Sequence, residues 1–135
     1  MTDSGEAQVL TVARGGEPVA LRFEIGAGLL GDWTLRLLRG GALDEAWSGT
    51  TGDRADDHLR LAPERLLAPE VRLEWIITVY GPAKDAGYDV GLRALQGRRR
   101  CIDFPPRRQG EVKARAVAIE RGALLPRPHS PEAAR

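Results

Sequence analysis

The chain has 135 residues, 42% hydrophobic and 29% charged, with 20 basic against 19 acidic side chains. That is the size and make-up of one folded domain, and no apolar run reaches the roughly 20 residues needed to cross a bilayer, so membrane-spanning and wholly disordered chains are excluded. Residues 1–6 lack the basic start and apolar stretch of a secretory leader, and the single cysteine, Cys101, provides no disulfide framework, so the expected compartment is a reducing cytoplasm. Arginine supplies 18 of the 20 basic residues and asparagine is absent, a bias that suggests a G+C-rich bacterial genome more than a device.

Val19, Leu21, Phe23 and Ile25 alternate with Ala20, Arg22 and Glu24, the period of two of a strand with one buried face. After the glycine-rich residues 26–31 the alternation returns at Trp33, Leu35 and Leu37. Residues 48–58 read as a mobile polar loop, and residues 63–68 as the one helical candidate, with Pro63 suited to a first helical position and Pro69 stopping it after little more than a turn. Val71, Leu73, Trp75, Ile77 and Val79 predict a central strand, with Ile76 and Tyr80 adding apolar bulk outside. Tyr88, Val90 and Leu92 continue the pattern, followed by Ile102 and Phe104, and then by residues 112–119, where Val117 and Ile119 share a face with Lys113 and Arg115. Gly40-Gly41, Gly81-Pro82, Gly97 and Pro105-Pro106 punctuate these runs as turns do in all-β folds. The expectation is a single-domain antiparallel β-sandwich over residues 1–125, immunoglobulin-like or jelly-roll-like, with eight or nine short strands; a closed β-barrel is the alternative. Residues 126–135, with Pro126, Pro128 and Pro131, read as a flexible tail that includes His129.

Two short stretches carry resemblances. Asp85, Ala86, Gly87, Tyr88, Asp89 and Val90 resemble the turn into a late strand of immunoglobulin-like domains, which implies a tyrosine bonded back to backbone, although the paired core cysteines are missing. Gly31, Asp32 and Trp33 resemble the glycine-x-tryptophan of the calycin barrels. That resemblance implies a ligand-holding barrel, in which Trp33, Trp47 and Trp75 would line the cavity of a small-molecule carrier.

Residues 26–31 also have the glycine spacing of a dinucleotide-binding loop, but the segment that follows alternates as a strand where a pyrophosphate would need a helix N-terminus. A hairpin connection is the reading, and no cofactor is expected. Asp53, Asp56, Asp57 and His58 are the nominees for a metal site or an acid–base pair, yet they lack the alternating spacing of a calcium loop and offer zinc one nitrogen ligand. A solvated acidic loop explains them. With serines only at 4, 48 and 130 and two histidines, no nucleophile lies in a prepared setting, so the chain is not expected to be an enzyme. Cys101, beside three arginines, is either a favoured thiolate or a packed core thiol.

The charge is unevenly distributed. Residues 1–92 hold 9 basic and 15 acidic side chains, residues 93–127 hold 10 and 3. Arg98, Arg99 and Arg100, after Gly97, are expected at a hairpin tip with at least two of them in solvent; across the Pro105-Pro106 bend, Arg107 and Arg108 extend them into one basic surface. Such a surface suits an acidic protein, or the acidic part of a second copy. Nucleic acid is less favoured, because Phe104 is the only aromatic in residues 93–127 and single strands are usually held by base stacking. The bland account is that these arginines pair with acidic residues of the same chain. The expected function is that of a non-catalytic interaction or assembly module, acting through this basic surface or through an edge strand.

Overall fold

The computed structural model describes residues 7–25, 30–51, 58–80, 86–103, 105–112 and 117–129. Alternation places one side of each strand inward, and the strands stack in two layers. They run β1 (Ala7–Val12), β2 (Val19–Ile25), β3 (Leu30–Arg39), β4 (Ala42–Thr51), β5 (His58–Leu61), β6 (Val71–Tyr80), β7 (Ala86–Gln96), β8 (Arg99–Arg100), β9 (Arg107–Val112) and β10 (Val117–Pro128), with one helical turn, α1 (Pro63–Leu66). Sheet A has the order β1-β10-β6-β3-β4. Sheet B has the order β5-β2-β7, with β8 and β9 on the same flank of β7, one at each end.

The fold is an all-β sandwich and the two sheets do not close into a barrel. In an immunoglobulin domain the last two strands are neighbours in one sheet. Here β9 and β10 lie in opposite sheets, and β10-β6-β3-β4 faces β9-β7-β2-β5, the four-on-four layout of a jelly roll. All pairings are antiparallel except that of β1 with β10.

Leu21, Leu35, Leu37, Leu73, Ile77, Val79, Val90 and Leu124 are fully buried between the layers. Trp33 stacks on Phe23 with ring centroids 4.4 Å apart. Trp33 and Trp75 are therefore core side chains, and Trp47 packs at the core margin beneath the Arg65 guanidinium. A carrier cavity lined by three tryptophans loses its basis with the barrel.

Four sequence expectations change. Residues 48–51 belong to β4 and His58 opens β5, so only residues 52–57 of the expected loop remain, outside the described residues. The run at 112–119 is two strands in opposite sheets, and Ile102 is buried in an irregular link between β8 and β9. The expected tail begins too early, because Pro126 and Pro128 pair with Leu10 and Val12, and the His129 N–H donates to the Val12 carbonyl. Proline is tolerated there because the register of β10 with β6 stops at Leu124, so a missing N–H breaks no ladder bond on that side. Tyr88 donates to the Glu120 carboxylate across the layers, where an immunoglobulin-like turn would send it to backbone; Asp85 lies outside the described residues.

Candidate functional site

The five arginines nominated from the sequence separate into three groups. Gly97, at φ +63°, turns β7 into β8, forming the expected hairpin, and Arg98 and Arg100 stand exposed on it. Arg99 folds back. Its guanidinium donates to Thr11 Oγ1 at 2.9 Å, the Thr11 carbonyl at 2.8 Å and Gln96 Oε1 at 2.7 Å. Gln96, itself buried, also accepts from the Ala13 N–H and donates to the carbonyls of Ala13 and Glu17, so Arg99 fixes the β1–β2 connection to the end of β7.

Arg107 reaches Asp89 at 2.5 Å and Glu24 at 3.5 Å; its pKa is held above the usual value, chiefly by the hydrogen bond it donates to Asp89. Gly91 makes that reach possible, since a Cβ there would stand 3.1 Å from Arg107 Nη1. Arg108 turns to the inner side, 4.0 Å from Glu120 and over the Trp75 ring. Pairing within the chain therefore accounts for Arg107 and Arg108. The five do not form one surface.

A different basic surface forms on the outer face of sheet B. Alternation sends Val19, Leu21 and Phe23 of β2 inward and Ala20 and Arg22 outward; on β7 it sends Leu92 and Ala94 inward and Arg93 and Leu95 outward. The register then assembles two rows across the strands. His58, Arg22 and Arg93 stand side by side, and Arg60, Ala20, Leu95 and Arg100 form the next row. Glu24, one position along β2, meets Arg93 at 3.4 Å and Arg107 at 3.5 Å. Ala20, the smallest of these side chains, floors a shallow dish of about 220 Å³ walled by Arg22, His58, Arg60, Arg93 and Leu95.

Arg22 and Arg60 were not nominated from the sequence, whereas Arg93 belongs to the basic stretch of residues 93–127. The available signal was their outward phase in each strand, but their adjacency depends on pairings between segments far apart in the chain. Asp53, Asp56 and Asp57 lie outside the described residues; His58 is exposed, and no three potential metal ligands gather among the described residues. Cys101 is 1% exposed, and burial pushes its thiol above the ordinary value, with Arg99 opposing only in part. The thiolate reading thus gives way to the packed one. Among the described residues no helix is long and apolar enough to cross a membrane. Comparison of the chain with protein-family models, with curated proteins and with solved structures gave no match.

Proposed function

We propose that this chain is a non-catalytic binding module of a reducing cytoplasm that docks an acidic protein surface on the outer face of sheet B. The observation that carries the reading is the placing of Arg22, Arg60, Arg93 and Arg100 by four strands on one side of the sandwich. Arg22 stands directly opposite Arg93, and like charges in that relation destabilise a sheet. An acidic partner would add to the compensation that Glu24 gives Arg93. Glu24 and Asp89 interrupt the basic field, which suits the mixed charges of a protein better than a continuous phosphate backbone, and the rows between β5 and β8 carry no Phe, Tyr or Trp ring for bases to stack on.

The test is fluorescence anisotropy with a labelled glutamate-rich peptide and, in parallel, a labelled single-stranded oligonucleotide. Reversal of Arg60 and Arg100 to Glu is expected to weaken peptide binding at least tenfold, whereas the matched reversal of Arg121 and Arg127 on sheet A leaves it within twofold. Binding by the wild type is expected to decline steeply with salt. Equal losses in the two variants would overturn the reading, and preference for the oligonucleotide would replace the partner by nucleic acid.

A second reading rests on β4. It is an edge strand of ten residues that pairs, among the described residues, with β3 alone, and beyond Asp44, Glu45 and the bulge near its start it contains neither proline nor lysine to guard it. A partner strand adds there by backbone hydrogen bonds. Ser48→Lys with Thr50→Lys would abolish such pairing while sparing the electrostatic binding of sheet B.

A further inference from the structure

Within the docking face just proposed, and resting on that reading, we infer that the dish over Ala20 is a subsite for a phosphate monoester carried by the partner, with Arg22, Arg60 and Arg93 as its donors. The register makes the dish. Ala20 lies between Arg60 on β5 and Leu95 on β7, and in the adjoining row Arg22 lies between His58 and Arg93. A methyl group surrounded by three guanidinium stems leaves a recess of about 220 Å³, and among the described residues none that lines it is a carboxylate.

The chemistry of the wall selects the ligand. Donors approach from three strands, β5, β2 and β7, so the group that uses them all must present acceptors in three directions. A planar carboxylate offers two oxygens in one plane. A phosphate monoester offers three terminal oxygens and close to two negative charges at neutral pH, and guanidinium groups meet such oxygens with paired N–H donors. Glu24 marks the limit of the site: it engages Arg93 from the neighbouring row and stands outside the lining, so it orients that arginine without occupying the recess. Leu95, 38% exposed, supplies an apolar wall on the side of Arg100 for the stem of the phosphorylated residue.

The experiment uses the full chain, one acidic peptide in serine and phosphoserine forms, and inorganic phosphate. The phosphoserine peptide is expected to bind at least tenfold tighter than the serine peptide. Ala20→Leu, which fills the floor with a residue at home in strands, is expected to erase that difference. Arg60→Ser is expected to reduce the difference as well, and because it leaves the floor open it separates loss of a donor from a blocked recess. Inorganic phosphate is expected to shift the amide resonances of Ala20, Arg60 and Arg93 in the wild type and to leave them unmoved in Ala20→Leu. Equal binding of the two peptides overturns the subsite and leaves the acidic docking face standing. Phosphate shifts at Ala20 with neither peptide bound keep the oxyanion site and overturn the docking face. A phosphoserine preference that survives Ala20→Leu overturns the assignment to this dish.

Discussion

The outer faces of the two sheets are built by the same alternation and end with different pairings of charge across their strands. On sheet A, Arg36 stands opposite Glu74, and the same carboxylate lies 3.7 Å from both Arg36 and Arg72, so charge is matched where the strands meet. Arg121 stands exposed beside this group, Val117, Ile119, Thr78 and Tyr80 continue the face without charge, and the Tyr80 hydroxyl donates to Asp32. On sheet B, Arg22 stands opposite Arg93, with Arg60 and Arg100 in the next row. Both faces satisfy the demand that strands bury one side. On sheet A the register sets a carboxylate opposite an arginine, whereas on sheet B it sets two arginines opposite each other with Glu24 beside them.

The largest way to break the comparison is to confuse an arginine of the frame with an arginine of the face. Arg99→Ala removes three charge-assisted hydrogen bonds and leaves Gln96 short of a donor, and is expected to cost about 3 kcal/mol, or on the order of 10 °C in melting temperature. Arg98→Ser and Arg100→Ser are expected to stay within about 0.5 kcal/mol of the wild type. Thermal melts of the three single variants check this, and a mild effect of Arg99→Ala would remove it from the frame.

Between the layers, Tyr88 on β7 donates to Glu120 on β10, and burial together with that carboxylate pushes the phenol up to about 12. The folded chain thus holds this proton more tightly than the unfolded chain. Its contribution is whole below pH 10 and is lost as pH rises from 10 toward 12. Denaturant titrations across that window are expected to show the loss in the wild type and a weaker dependence in Tyr88→Phe; identical slopes would dissociate the tie from the layers.

The sign of the two charge rows is a smaller effect and a sharper one. A double-mutant cycle on Arg22 and Arg93 is expected to give a repulsive coupling, and one on Arg36 and Glu74 an attractive coupling, each about 0.2 to 1 kcal/mol and both shrinking in high salt. Couplings of the same sign would erase the contrast between the faces. Smallest in energy is the chemistry of Cys101: its buried thiol is expected to resist Ellman's reagent in the native state and to react at once in denaturant, and rapid native labelling would show an open link between β8 and β9.

The sandwich was legible because its signals are local. Residues 19–25, 33–37 and, Ile76 aside, 71–79 alternate, and glycine and proline mark the turns. The parallel edge was not, since Pro126 and Pro128 argue against a strand until β10 is seen to have left β6 behind by that point. The basic face escaped for a related reason. Counting charge along the chain pointed to residues 93–127, yet Arg22 and Arg60 come from the acidic first two thirds, and the register that puts Arg22 beside Arg93 joins positions 71 residues apart. Nor does a run of three arginines say which one turns back: Arg99 does so because the two-residue β8 points it at the carbonyl of Thr11 and the amide of Gln96.

The most direct test of the central claim is a chemical-shift map of the full chain titrated with a glutamate-rich peptide at low salt. The account predicts shifts concentrated at Ala20, Arg22, Arg60, Arg93 and Arg100 on sheet B, with Tyr80, Val117 and Ile119 on sheet A unmoved. Shifts centred on sheet A or along β4, or spread evenly over both faces, would contradict it.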